Sequence, residues 1–277
     1  MEIEFTKMHG CGNDFIMIDN RKGVLKDIPL HDFVKKLCER KFNIGANGLM
    51  LVENSSVTDF RMRYFNADGS EGEMCGNGAR CIAKYAWVNG IVSKKMMSFE
   101  TLDGNYRAKV LDNGQVEIYF PEVMIKDVCL QQKLLYKGKP LIYHYGSVGV
   151  PHTVYFSEDI EEMNDTDFKN LGRSIRYDKA FSRGTNVNGV RVLNQNEIAV
   201  RTYERGVEEE TLACGSGATA SAIISSLLHY TKPPIHVKTR GGYVIIDFKI
   251  CSELVEFITL TGNAEIVFEG TVIYKTS

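Results

Sequence analysis

The sequence has no apolar run approaching the roughly 18 residues that a spanning helix needs. Its first stretch, MEIEFTKMHGCGNDFIMID, carries charge from position 2 onward and lacks the apolar core of a signal peptide. Neither sign of charge dominates: 33 Lys and Arg stand against 35 Asp and Glu, a formal net charge of −2. That balance leaves no basic excess for nucleic acid or an anionic membrane surface, so neither is an expected partner. Cys-x-x-Cys pairs are missing, the six histidines form no visible ligand cluster, and no metal site is expected. Seven cysteines, an odd number without an export signal, argue against a disulfide framework. Hydrophobic residues at 44% and charged residues at 25% exclude disorder as the dominant state. The chain reads as a soluble, cytoplasmic protein with reduced thiols.

What is present is strand-rich, with a few helices. Segments 2–7, 59–65, 107–111, 115–120, 197–203, 235–239 and 243–248 are rich in β-branched and aromatic residues, several with period-two alternation. Turn signals punctuate them at Asp103-Gly104, Asn113-Gly114 and Gly241-Gly242. Helices are predicted at about 30–39, 77–88 and 217–229. Pro121 and Pro151 are read as breaks in extended stretches, which puts a domain border near 121. The fold class is α+β, in two units of similar size: 1–120 and 121–265.

An internal repeat is the most informative feature. Residues 72–82 read GEMCGNGARCI and residues 211–221 read TLACGSGATAS. Aligning Cys75 with Cys214 gives an offset of 214 − 75 = 139, and the same offset carries Tyr64 onto Tyr203. Each half therefore runs strand, acidic loop, Cys-Gly-x-Gly-Ala, helix. The alternative for one motif alone is a tight turn whose small residues pack against a strand. Recurrence at one offset favours a shared chemical purpose.

A cysteine at the start of a helix sits where backbone N–H groups lack intrahelical partners and the helix dipole favours negative charge. A free thiol has a pKa near 8.5, and such a position lowers it. The same N–H groups can hold a carboxylate. Two such thiols suit the inversion of an amino-acid α-carbon, in which one base removes the proton and an acid on the opposite face replaces it. Helix N-termini aimed at the substrate carboxylate stabilise the charge that develops there. The residues thus point to a racemase or epimerase.

The segments KMHGCGNDFIMID (7–19), YFNADGSEGEMCGNGARC (64–81), YERGVEEETLACGSGATA (203–220) and LTGNAEIVFEG (260–270) closely resemble the diaminopimelate epimerase family. The resemblance implies two pseudo-symmetric domains, each a barrel-like sheet around a central helix, with the active site in the cleft. It implies that the final strand, 266–277, returns to the N-terminal half. It also implies cofactor-independent interconversion of LL- and meso-diaminopimelate, a step toward lysine and peptidoglycan, and some relatives suggest a homodimer. Carried over by position, Cys75 and Cys214 correspond to the acid–base pair, and Glu204 and His152 to groups that assist the thiols. Gly76 and Asn77, with Gly215 and Ser216, correspond to backbone donors for the reacting carboxylate. Asn13, Asn66, Asn188, Glu204 and Arg205 correspond to substrate-binding positions. Arg205 has the planar fork that binds a distal carboxylate bidentately.

Three departures from the family pattern concern the distal end of the substrate. Val150-Pro151-His152 stands where Asn-Pro-His is usual. Asn43-Ile44-Gly45-Ala46-Asn47-Gly48 replaces a Gly-x-Gly-Ala-Asp-Gly stretch. The loop from Glu204 to Cys214 is one residue longer, through Glu208-Glu209-Glu210. They keep open a racemase of another amino acid, such as histidine, with the same paired thiols. A thiol redox switch or an amino-acid-binding protein is the reading from a different class. Cys38, Cys129 and Cys251 are expected to be ordinary buried or half-buried side chains, and Cys11 to be a small packing residue.

Overall fold

A computed structural model describes residues 1–274. Contacts divide the chain into two compact units, one formed by residues 1–118 with the segment from Gly262 onward, the other by Tyr119–Thr261. The N-terminal unit runs β1 (Glu2–Gly10), β2 (Asn13–Asp19), α1 (Leu30–Cys38), β3 (Gly48–Glu53), β4 (Phe60–Asn66), β5 (Glu71–Gly72), α2 (Gly76–Val88), β6 (Met96–Thr101) and β7 (Gly104–Val110), and β8 (Val116–Tyr119) leads to the division. The contiguous unit continues with β9 (Val123–Met124), β10 (Cys129–Tyr136), β11 (Lys139–Val148), β12 (Val150–Phe156), α3 (Asp165–Arg176), β13 (Asn186–Asn194), β14 (Glu197–Glu204) and β15 (Glu209–Thr211). It ends with α4 (Gly215–Leu227), β16 (Ile235–Thr239), β17 (Gly242–Ile250) and β18 (Leu254–Gly262). The last strand, β19 (Glu265–Ile273), pairs antiparallel with β1, from Glu2↔Ile273 to His9↔Glu265. Positions 275–277 of the expected final strand lie outside the described residues.

Each helix bridges two parallel strands, as parallel pairing requires a crossover connection. In the N-terminal unit α1 joins β2 to β3 and α2 joins β4 to β6. In the contiguous unit α3 joins β12 to β13 and α4 joins β14 to β16. The repeat extends to register: Phe60 pairs with Phe99 in one unit and Ala199 with Lys238 in the other, both positions displaced by 139.

α1 and α3 are amphipathic covers. In α1, Phe33, Val34, Leu37 and Cys38 form the buried stripe, with Asp32 in the first turn and Lys35 and Lys36 in the last. α2 and α4 are central. α2 packs against β1, β2, β3 and β7, and α4 packs against β11, β12, β13, β14, β16 and β17. Their sequences fit that position. α4 is built of Gly, Ser, Ala, Thr and Ile before its final leucine, and all but Ser216 and Leu227 are buried. Small side chains let the surrounding strands approach, at the cost of helix propensity that tertiary packing overrides. Among the described residues no helix is long and apolar enough to cross a membrane.

Three expectations need correction. α3 is a helix that the strand and helix patterns did not predict. Pro151 does not break a strand: it is the second residue of β12, paired with Ser147, and its carbonyl accepts a hydrogen bond from Asn186 Nδ2 at 3.2 Å. Near the start of a strand the missing proline N–H is tolerated. Cys129 is exposed rather than buried, because it opens β10 beyond a register irregularity.

Candidate active site

Both motif cysteines are N-cap residues with nearly the same backbone. Cys75 has φ −119° and ψ 115° ahead of α2, and Cys214 has φ −115° and ψ 113° ahead of α4. Each carbonyl receives the first intrahelical bond, from Ala79 N–H at 2.7 Å and Ala218 N–H at 2.9 Å. The helices begin at the glycine after each cysteine, one or two residues earlier than expected, so Gly76-Asn77 and Gly215-Ser216 supply first-turn N–H groups.

In the N-terminal unit the β1–β2 hairpin turns on Cys11 and Gly12, at φ 52° and 78°, between the paired Gly10 and Asn13. Two central residues at positive φ mark the tight turn whose twist suits a hairpin. This turn delivers Asn13, whose Nδ2 donates to Cys75 Sγ at 3.9 Å. Asn66, at the end of β4, accepts from Tyr64 OH at 2.8 Å and donates to Ser70 Oγ at 3.1 Å. Asn77 is 2% exposed and accepts from Arg80 Nη2 at 2.9 Å.

In the contiguous unit Cys214 Sγ lies 3.6 Å from Ser216 Oγ. His152 and Asn188 are fully buried on neighbouring parallel strands. Asn188 Nδ2 donates to the Thr153 carbonyl at 3.0 Å, while Asn188 Oδ1 accepts from Thr202 Oγ1 at 2.9 Å. These two bonds fix the amide orientation. The same Nδ2 lies 3.2 Å from His152 Nδ1, which must therefore accept, so the ring proton sits on Nε2. Burial, reinforced by the nearby Arg205 charge, pulls the His152 pKa from 6.5 to about 3. Its Nε2 is buried without a partner among the described residues. The ring is thus a neutral donor, not a base, at physiological pH.

Glu204 ends β14, and burial pushes its carboxyl pKa up. Next to it, Arg205 donates its backbone N–H to Asn186 Oδ1 at 2.8 Å and Nη1 to the Arg183 carbonyl at 3.1 Å. Among the described residues its guanidinium has no carboxylate partner, leaving its fork for an anion. Asn186, which links Arg205 to Pro151, was not singled out in the sequence. Its only signal was its place two residues before Asn188.

The run Glu208-Glu209-Glu210 does not offer a free acidic loop. Glu208 meets Arg176 at 3.2 Å and Tyr203 OH at 3.1 Å, and Glu209 pairs with Lys169. Glu210 holds buried Arg201 through bonds of 2.7 and 2.6 Å. The other cysteines separate from the motif pair: burial pushes the Cys38 and Cys81 thiols up to about 12, and Cys251 donates to Glu256 at 3.1 Å.

Two α+β units, each a mixed sheet on a central helix opened by Cys-Gly-x-Gly-Ala, define the class. The profile of the family described as diaminopimelate epimerase matches residues 5–125 and 145–267, and the chain belongs to that family. A diaminopimelate epimerase of Caldanaerobacter subterraneus subsp. tengcongensis is 42% identical over 284 residues, covering 98% of this chain and 99% of the relative. One from Aquifex aeolicus is 43% identical over 280 residues, covering 97% of each. Among solved structures, a hydroxyproline epimerase from Agrobacterium vitis with bound trans-4-OH-L-proline aligns with a TM-score of 0.73 at 12% identity, covering 98% of this chain and 91% of that one. A Bacillus anthracis phenazine biosynthesis protein of the PhzF family aligns equally well, at 16% identity, over 99% of this chain and 100% of that one. These two likenesses concern the fold.

Proposed function

We propose that this chain is an isomerase that interconverts LL- and meso-diaminopimelate, a step toward lysine and peptidoglycan, with side chains alone supplying the acid and base. The observation that carries the reading is the pair of cysteines in matching N-cap geometry on two central helices. One thiolate removes the α-proton, and the other thiol returns a proton to the opposite face. The N–H groups at Gly76-Asn77 and Gly215-Ser216 hold the reacting carboxylate as its charge grows. Asn13 and Asn66 bind on the N-terminal side. Arg205 takes the distal carboxylate, and Asn188 places His152 so that Nε2–H donates to an anion at the site. Glu204, its pKa raised, is the group best suited to exchange a proton with a thiol.

The test is ¹H NMR in D₂O with reduced protein and no added cofactor, using LL-diaminopimelate and, separately, L-histidine. Loss of the diaminopimelate α-proton with appearance of the meso isomer is expected. Exchange confined to histidine would overturn the substrate assignment, and full activity in Cys75→Ala or Cys214→Ala would overturn the two-thiol mechanism.

A further inference from the structure

Arg80 is among the largest fully buried side chains of the described residues, and a buried guanidinium ordinarily has a carboxylate beside it. This one does not. Among the described residues its partners are the Asn263 carbonyl at 3.2 Å, the Gly76 carbonyl at 3.4 Å, Asn77 Oδ1 at 2.9 Å and Cys11 Sγ at 3.5 Å. Two other cations of the same unit are compensated: Lys7 meets Asp14 at 2.9 Å, and Lys84, one turn further along α2, meets Glu265 at 3.9 Å. Among the described residues no carboxylate compensates the charge of Arg80, which lies five residues after the N-cap Cys75.

The seat is shaped for it. A methyl group at Gly10 would stand 3.1 Å from Arg80 Nη2 and 3.0 Å from the Asn77 carbonyl, so a side chain there would crowd the guanidinium. Cys11 holds φ 52°, a torsion that Asn or Gly adopts more readily, and from it the sulfur reaches the guanidinium. The repeat supplies a comparison. At the displacement of 139, Arg80 becomes Thr219, a neutral residue that donates to the Gly215 carbonyl at 2.9 Å. The two cysteine-capped helices share backbone geometry and differ in charge.

We propose that Arg80 is a positioning residue for the epimerisation: it clamps the hairpin turn carrying Asn13 onto the first turn of α2 and makes Cys75 the resting thiolate of the pair. The proposal rests on the two-thiol reading and breaks its symmetry. Before substrate binds, the positive charge under α2 favours an anion at Cys75. The helix with Thr219 lacks that charge, and Cys214 begins as the thiol.

The test reads thiol reactivity without substrate. Reduced protein is alkylated at neutral pH, and the rate at each cysteine is followed by peptide mass spectrometry. In the unmodified protein, anionic iodoacetate should gain on neutral iodoacetamide at Cys75 relative to Cys214, and equal ratios at the two sites overturn the proposal. Arg80→Met should slow iodoacetamide at Cys75 about tenfold while Cys214 keeps its rate, and Arg80→Lys should restore most of the loss. A Lys variant as slow as the Met variant would show that shape, not charge, matters. A loss at Cys11 instead of Cys75 would place the anion in the turn. Both results refute the assignment. Diaminopimelate exchange in Cys75→Ala, measured separately, reports on the two-thiol reading itself.

Discussion

Gly217 stands against Asn188. A methyl group at 217 would lie 2.4 Å from Asn188 Oδ1 and 3.3 Å from Cys214 Sγ. Asn188 cannot yield easily, because its amide is held by Thr202 and Thr153. Gly217→Ala should therefore destabilise the fold by about 1–3 kcal/mol, and should disturb Cys214 and His152 together. At the equivalent position, Gly78, the nearest atom is the Met50 methyl, the free end of an adaptable side chain. Gly78→Ala should cost less in both denaturation midpoint and diaminopimelate exchange, and equal losses would contradict this account.

His152 gives stability a pH dependence of known sign. Its pKa falls from 6.5 to about 3 on folding, so the unfolded chain takes up the proton first. The stability tied to the neutral ring is full above 6.5 and is lost as pH falls toward 3, at up to about 1.4 kcal/mol per pH unit. His152→Gln should flatten urea-unfolding free energy between neutral pH and about pH 5 relative to the parent. Parallel slopes in the two proteins would show that the ring is not held neutral.

Arg205 and Asn186 should fail in one direction. Arg205→Lys loses the planar fork, and Asn186→Ala leaves the Arg205 N–H and the Pro151 carbonyl without their partner. Both should raise KM for diaminopimelate by about tenfold or more with a smaller change in kcat, since a distal carboxylate is gripped alike in ground and transition states. A fall in kcat alone would move Arg205 to the reacting centre.

The Glu208–Glu210 run should prove structural. Arg201 is 4% exposed, lies over the Phe168 ring at 4.3 Å and bonds the Ile160 carbonyl at 3.2 Å. Glu210→Gln weakens its main ion pair and should lower stability by about 3 kcal/mol, while turnover at low temperature persists. Denaturant midpoints and exchange rates, measured together, check both halves of that statement.

The order of elements around the two cysteines was legible because the Cys-Gly-x-Gly-Ala motif repeats ahead of α2 and α4 and because α1 carries an amphipathic stripe. α3 escaped for a physical reason. Its interior holds Gly172, a poor helix residue that is there because a methyl group would lie 2.5 Å from Tyr203 Cβ. The signals that could have found it are Asn164, whose side chain accepts from the Asp167 N–H, and the buried spacing Phe168, Leu171, Ile175. The strands β10 to β12 were obscured by polar alternation on exposed faces and by Pro151. At the candidate site the motif residues were readable by position, whereas Asn186 and Thr202 act through partners distant in sequence. Arg80 was visible within its motif. Its lack of a carboxylate is a property of packing, and no spacing rule reveals it.

The pairing of β1 with β19 has a consequence for the order of events in synthesis. The contiguous unit, Tyr119–Thr261, has all its strands as soon as its last residue clears the ribosome. In the other unit β1 is made before the contiguous unit, yet its second partner β19, together with the Asn263 and Ala264 carbonyls that receive Arg80 and Lys84, follows only afterwards. Domains that fold as units during synthesis usually do so from the N-terminus. Here the half that is started first is completed last, and until β19 is made the β1–β2 hairpin keeps one edge without its strand partner.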